Sequence, residues 1–415
     1  MTAECPHAAG TNGRRVGADR SITVLRAGYP FLLGLRRDAG ADTVDLRLLG
    51  RRTTVLAGPD GARLFYDESV MRRRGAMPRP LRRTLFGDGA IHGLDDSDHK
   101  HRKGLFLDVL TPAAATAIAA DAAHRWTEQA GDPVEPAAIF HDAVTVHAAA
   151  VLEWAGVLAS ETYAGLDRDL IAMVDGFGSV GLRHVRARRA RKRTDAWAKT
   201  LIRDVRSGRV QVPGTALAAI AEYRGRDGEL LPPKVAGVEL LNVLRPTVAV
   251  AYFVAFTAHA LTEQPGLRDK LRGADDALLE SFAHEVRRHY PFVPMLAAKV
   301  RRAVTFHGHR LRRGRRVILD VYGMLHDPQW WSDPGSFDTE RFLGSEPDPF
   351  TFVPQGGGDP ATGHRCPGER VAIELIKTAV RHLVEDRPAA QTLQDFPLNR
   401  FPTRPLARSR PVART

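Results

Sequence analysis

The chain has 415 residues, is 43% apolar, and carries 60 Lys and Arg against 48 Asp and Glu, a net charge of +12. The apolar share is ample for a core, and the positive balance admits nucleic acid, an acidic partner or an anionic substrate; without a zinc-ligand pattern or a basic–aromatic repeat, nucleic acid is set aside. No run reaches the roughly 20 apolar residues of a membrane span, no signal peptide opens the chain, and two cysteines at opposite ends, Cys5 and Cys366, argue against a disulfide and for a reducing, cytoplasmic setting.

In chain order, residues 1–20 read as a disordered tail. Residues 44–56 alternate as a short hairpin, Gly58–Gly61 supplies a turn, and Ala62–Val70 reads as a short helix. Met71–Gly87 is too rich in Arg and Pro for a clean helix and reads as a solvated basic loop, unless one arginine turns inward to an anion. A helix follows over Ala90–Leu110, with Asp96, Ser97 or Asp98 as its cap. Residues 114–170 have helical periodicity, broken at Gly131–Pro133. Met173–Gly181 ends a helix. Arg183–Arg193 is the densest charge run, read as a solvated helix face, with partner docking or attraction of an anionic substrate as lesser readings. Residues 215–223 are helical and 227–229 form a turn.

Pro233 opens a long apolar helix, Lys234–Leu261. At its centre stands Arg245 followed by Pro246, which removes a helix hydrogen bond and kinks the helix. One turn to either side of Arg245 are Leu241, Asn242, Val248 and Ala249, none of them acidic. A guanidinium in an apolar helix is costly to bury unpaired. Either an acid from elsewhere in the fold meets it, or it escapes to water, or it awaits an anionic ligand. Glu285 and Arg288 form an E-x-x-R on a predicted helix, an ordinary i,i+3 pair when taken alone. Residues 299–320 read as short strands.

Near the C-terminus lies FVPQGGGDPATGHRCPGERVAIELIK, Phe352–Lys377. Cys366 ends a glycine-rich loop at the N-terminus of a predicted helix. The glycines allow close approach to something flat or bulky, the helix end favours a thiolate, and Gly368 offers the nearest amide. The plain alternative is a buried, inert cysteine beside a tight turn.

This stretch resembles the haem-binding loop of cytochrome P450. The resemblance covers roughly residues 40–405 and implies a mainly α fold with small β-sheets, in one domain over residues 21–415. It implies haem b as cofactor, with Cys366 as axial thiolate and metal ligand; thiolate ligation pushes electron density onto iron and favours O–O cleavage. Phe352 stands fourteen positions before Cys366, a longer spacer than usual, and that long loop is similar to the fatty-acid peroxygenase branch. The resemblance places His364, Arg73, His99 and Arg102 at haem propionates, with Lys103 as second choice to Arg102. It places Phe86, Phe177 and Phe292 around the substrate and His92 over the haem. Glu285, Arg288 and Arg341 would lock the core below it.

LLNVLRPTVAV around Arg245 looks like the peroxygenase form of the helix in which monooxygenases carry an acid–alcohol pair. By resemblance, Arg245, with Pro246 beside it, binds the fatty-acid carboxylate, which then serves as base and acid toward hydrogen peroxide. The expected partners are therefore a fatty acid and hydrogen peroxide, with no obligatory redox partner. A redox-partner monooxygenase is the alternative in the same fold, and a haem-thiolate sensor without turnover the alternative in another class. The Arg-Pro pair discriminates, because a sensor has no need of a carboxylate clamp.

Overall fold

The computed structural model describes residues 17–128, 136–385 and 395–406. Most of the expected N-terminal tail, and the helix break expected at Gly131–Pro133, lie outside them. Residues 17–20 of that tail are placed: the Asp19 carboxylate accepts the N–H groups of Ser21 at 2.9 Å and Gly50 at 2.6 Å.

The hairpin is β1 (Thr43–Leu48) and β2 (Arg51–Leu56), paired antiparallel with Val44 opposite Val55. It edges a five-stranded sheet, order β1-β2-β7-β4-β3, completed by β3 (Met71–Arg72), β4 (Leu296–Val300) and β7 (Arg316–Leu319). β5 (Val304–Phe306) and β6 (His309–Leu311) form a separate pair. β2 and β7 run parallel, so the chain between them must cross over, and most of the helical body lies in that crossover.

After two short helices, Ser21–Ala27 and Phe31–Ala39, and the hairpin, α1 (Gly58–Tyr66) replaces the expected turn over 58–61 and the expected helix over 62–70. Pro59, in its first turn, starts it early because a proline costs nothing there. The basic stretch after β3, expected as a loop, holds α2 (Arg79–Leu85), again opened by a proline. A single 3-10 turn, Ile91–Gly93, precedes α3 (Asp96–Val109). None of the three expected caps serves α3. Asp95 occupies the cap position, and its carboxylate instead takes the N–H groups of Arg73 at 2.5 Å and Arg74 at 3.1 Å, tying the basic segment to the helix start.

α4 (Pro112–Thr127), α5 (Pro136–Ala155), α6 (Leu166–Asp175) and α7 (Leu182–Arg206) follow. α8 (Pro233–Ala249) and α9 (Ala251–Glu263) are two parts of one apolar run interrupted at Val250. Pro246 lies inside α8, and the interruption falls one turn later than expected: the Val250 N–H bonds the Thr247 carbonyl at 3.2 Å rather than reaching back to Pro246. By length and composition the 31-residue run Pro233–Glu263 passes for a membrane span, contrary to the sequence expectation, but 94% of its apolar window is buried. It is the central helix of the largest core cluster, where Leu244 and Phe256 pack with Ile118, Val151 and Leu375.

α10 (Asp276–His289) and α11 (Glu369–Glu385) complete the body. On α10, Glu285 pairs with Arg288 at 2.6 Å and with Arg341 at 3.1 Å, and it also accepts the Asp338 N–H at 3.0 Å. Removing either partner of so deeply buried a pair strands a charge, which makes this triad a fixed corner beneath the cysteine loop.

Candidate active site

The cysteine loop is fixed from three directions. Gln355 accepts the Cys366 N–H at 3.0 Å, and its side-chain oxygen takes Nε of Arg287 at 2.9 Å. Arg287 also pairs with Glu369, which receives Nε of Arg365 at 2.5 Å. Lys103, buried on α3, donates to the carbonyl of Gly363 at 3.1 Å and to that of Arg365. The glycines serve approach of the protein to itself: a Cβ on Gly357 would stand 2.4 Å from the Pro349 carbonyl, and one on Gly356, at φ +96°, 3.3 Å from the Tyr66 hydroxyl.

Burial raises the Cys366 thiol pKa, while the Gly368 N–H pulls it down. The helix terminus expected to favour the thiolate is thus outweighed by desolvation, and the protein alone keeps the sulfur protonated at neutral pH. A cation at the sulfur is what would ionise it.

Beside this loop the predicted basic and imidazole groups converge. The rings of His99 and His364 stack with centroids 3.8 Å apart, and His364 lies 3.9 Å from Glu68. Burial and the field of Lys103 and Arg73 lower the His99 pKa to about 4. Burial, Arg73 and His99 depress His364 further, so both rings are neutral at pH 7. The Arg73 guanidinium donates to the Phe65 carbonyl at 3.2 Å and lies over the Phe65 ring at 4.2 Å, with no carboxylate pairing it among the described residues. Nδ1 of His99 is buried without a partner.

Arg102, expected with these groups, is not one of them. Its guanidinium turns to Glu239 on α8, 2.6 Å away. A fully buried carboxylate there requires a cation, and Arg102 supplies it. Lys103, the second choice, is taken up by the loop carbonyls.

A second group lies alongside. His92 and Phe86 have ring centroids 4.1 Å apart, Phe177 lies 6.3 Å from Phe86, and the Arg245 guanidinium lies 5.9 Å from the Phe86 ring. His92 lines the pocket space, and desolvation by the surrounding protein, then the charge of Arg245, pull its pKa to about 3. It is therefore a neutral hydrogen-bonding ring rather than one poised between two states. Pro246 is the only residue from Ala236 to Leu261 that is exposed, so this one spot of the core helix borders that space. Phe292 is placed apart from the group, packed against Tyr252 at 5.3 Å and Phe253 at 5.1 Å.

Arg245 itself is 2% exposed. It donates to the Leu85 carbonyl, and to Oδ1 of Asn242 at 3.0 Å. No carboxylate among the described residues pairs with it. Asn242 is oriented by Glu239, which accepts its amide at 2.9 Å along with the Ile91 N–H at 2.9 Å. One buried carboxylate thus fixes both Arg245 and the turn that carries His92. A second guanidinium, Arg191 of α7, bonds the same Leu85 carbonyl at 3.1 Å and pairs with Asp195 at 2.7 Å. Burial and Arg191 together bring the Arg245 pKa down to about 9, which leaves it cationic at neutral pH.

Sequence reasoning missed Arg191 inside the basic run. The signal was there: Ala187, Ala190, Thr194 and Ala198 mark the inward face of α7, and Arg191 lies on it. Glu239 stands six residues before Arg245, beyond the turn that faces it, and Asn242, within that turn, is not acidic.

A mainly helical body around a kinked central helix, with a cysteine held at a helix start beside cationic and imidazole groups, defines a haem-thiolate protein. The comparisons agree. A family model for cytochrome P450 matches residues 277–386. Structures of cytochrome P450SP alpha (CYP152B1) with (R)-ibuprophen and cytochrome P450EX alpha (CYP152N1) with myristic acid are 38% and 34% identical, cover 94% and 95% of this chain and 97% of each other chain, and superpose at TM-score 0.88. A variant of cytochrome P450 OleT in complex with arachidonic acid is 31% identical over 94% of both chains, TM-score 0.87. Among curated relatives, "Cytochrome P450 3A11" of Mus musculus matches at 28% identity over a third of its length (33%, against 35% of this chain), and "Putative cytochrome P450 138" of Mycobacterium bovis at 25% over 86% of both. The chain belongs to the cytochrome P450 family, within the CYP152 group that these structures represent.

Haem fits the residues present. Cys366 would bind the iron, and Arg73, His99 and His364, cationic or neutral donors without a paired carboxylate on Arg73, suit the propionates.

Proposed function

We propose that the protein is a fatty-acid peroxygenase that uses hydrogen peroxide to oxidise the substrate at the α or β carbon, without an obligatory redox partner. The observation that carries this reading is Arg245: a buried guanidinium that no carboxylate among the described residues pairs, near Phe86, His92 and Phe177. A fatty-acid carboxylate would complete it, and the apolar rings would take the first carbons of the chain. That two CYP152 structures hold myristic and arachidonic acid supports the same ligand class.

When bound at Cys366, haem supplies the iron centre at which the peroxide O–O bond is broken. The rest is positioning. The Leu85 carbonyl and Oδ1 of Asn242 accept from Nη1 and Nη2 of Arg245, and the other guanidinium N–H groups are left for the substrate. A carboxylate so held sits where a proton must be taken from hydrogen peroxide and given back, a role that no acid of α8 fills. Glu239 is committed to Arg102, Asn242 and Ile91. Thr247, the alcohol position of a monooxygenase, donates its hydroxyl to the Val243 carbonyl at 3.0 Å and has no acid before it. Both facts weigh against the redox-partner monooxygenase, and the ready-made clamp weighs against a sensor. His92, neutral, offers a hydrogen bond near the substrate carboxylate. Hydroxylation is the main outcome, with some decarboxylation to the 1-alkene.

The test is gas chromatography of products from a panel of saturated fatty acids with hydrogen peroxide as the sole oxidant. Hydroxy acids formed without any reductase support the reading. Product only with an electron donor and dioxygen would move the assignment to a monooxygenase.

A further inference from the structure

The arginine-rich first half of α7 is not used by the pocket, Arg191 apart. Between Gly176 and Thr194 there is no Asp or Glu, while residues 183–193 carry six Arg and one Lys. Three of these cations have acidic partners: Arg183 with Asp175 at 3.2 Å, Arg191 with Asp195 at 2.7 Å, and Arg193 with Asp169 at 2.7 Å. Arg186, Arg188, Arg189 and Lys192 are exposed, with no acidic partner among the described residues.

The same surface carries apolar side chains. Val180 is 74% exposed, Leu182 85% and Val185 43%, and Leu182 is the most exposed large apolar side chain described. At about 3.6 residues per turn, Leu182, Val185, Arg186, Arg189 and Lys192 share one outward face, opposite the buried Ala187, Ala190 and Thr194. Val180 stands three residues after Phe177, so this surface adjoins the wall of the pocket.

We propose that this face docks the enzyme on an anionic lipid bilayer. Val180, Leu182 and Val185 enter the headgroup boundary, while Arg186, Arg189 and Lys192 lie along the lipid phosphates. An acidic protein or a nucleic acid would complement the cations but leave Leu182 against polar groups. A bilayer boundary complements both the cations and the apolar tip. The proposal goes beyond the fatty-acid reading and does not depend on it, although a lipid substrate would meet the pocket wall at such a surface.

The test is co-sedimentation of the haem-loaded, full-length protein with vesicles of phosphatidylcholine alone and of phosphatidylcholine mixed with phosphatidylglycerol. The wild type should partition onto the anionic vesicles and little onto the neutral ones, with high salt weakening the binding. Arg186→Glu/Arg189→Glu/Lys192→Glu should lower partitioning on the order of a hundredfold, and Leu182→Ser roughly tenfold. A control of equal charge change in the exposed loops of the sheets, Arg302→Glu/Arg312→Glu/Arg313→Glu, should stay within about twofold of wild type. No sedimentation with anionic vesicles, equal binding to both vesicle types, or equal loss in the two triple variants would each overturn the proposal. Sedimentation needs no turnover, so failure of the fatty-acid reading would leave this result intact.

Discussion

Nη1 of Arg102 lies 2.6 Å from Oε1 of Glu239, and both residues are buried. The contact occupies Arg102, and the same carboxylate holds the Ile91 N–H and Asn242, the residue that accepts from Arg245. Burial raises the Glu239 carboxyl pKa, opposed by Arg102 and Asn242, so this carboxylate depends on its partners. Glu239→Gln leaves Arg102 buried beside a neutral amide. The expected loss is about 3 kcal/mol of stability, read as a lower urea midpoint. Product formation from fatty acids should also fall, since the Arg245 orientation passes through Asn242. An unchanged midpoint would mean that Arg102 relaxes to water and the network carries no weight.

Cys366→Ala should abolish the thiolate signature in the carbon monoxide difference spectrum of the reduced protein. Lys103 and Gln355 would still hold the loop, so the variant should fold, with a far-ultraviolet spectrum like that of wild type. A thiolate-type band in this variant would assign the ligand elsewhere.

Much of this was legible in the sequence, and the failures share a physical cause. Cys366 and Arg245 stood out because each is chemically anomalous in its own window. Phe86, His92 and Phe177 came through resemblance as pocket residues, and their rings lie near one another. What could not be read were partners brought by folding from distant elements. Arg102 and His99 look equivalent on α3, yet only the packing of α8 decides that one meets Glu239 and the other stacks on His364. The expected caps of α3 failed because the helix already starts at Asp96, which leaves the cap position to Asp95, and its carboxylate is claimed by the backbone of Arg73 and Arg74. At Gly357 the sequence suggested room for a cofactor, whereas the loop closes on Pro349.

His147 is fully buried, and burial takes its pKa to about 3; His326 is held near 4 for the same first reason. Folded-state values below the unfolded one of about 6.5 mean that the unfolded chain binds more protons. Stability should therefore be complete above about pH 6.5 and fall as the pH drops toward 4, by up to ~1.4 kcal/mol per pH unit for each such histidine. Urea midpoints at pH 7.5 and 5 check the sign. For His147→Leu the slope should be shallower; a midpoint rising toward acid would contradict the neutral assignment.

His92 is expected to influence the partition between products. Its ring is held against Phe86 and is neutral, so it can fix the carboxylate and the β-carbon in one pose, which favours loss of a second electron from the substrate radical. Wild type should give hydroxy acids in the main, with measurable 1-alkene, and His92→Gln should lower the alkene share about threefold or more, a modest effect of roughly 0.7 kcal/mol. Absence of alkene from every medium- to long-chain saturated acid would return His92 to a pocket wall.

The central claim is that Arg245 holds the substrate carboxylate as the acid and base for peroxide. The most direct measurement is the initial rate of product formation from a saturated long-chain acid with hydrogen peroxide alone, for wild type and Arg245→Ala at equal haem content. The account predicts a loss of at least about a hundredfold, roughly 2.7 kcal/mol, in a variant that still shows the thiolate spectrum. Acetate added to wild type should promote oxidation of an uncharged substrate, by filling the same clamp. A fully active Arg245→Ala protein would contradict the account.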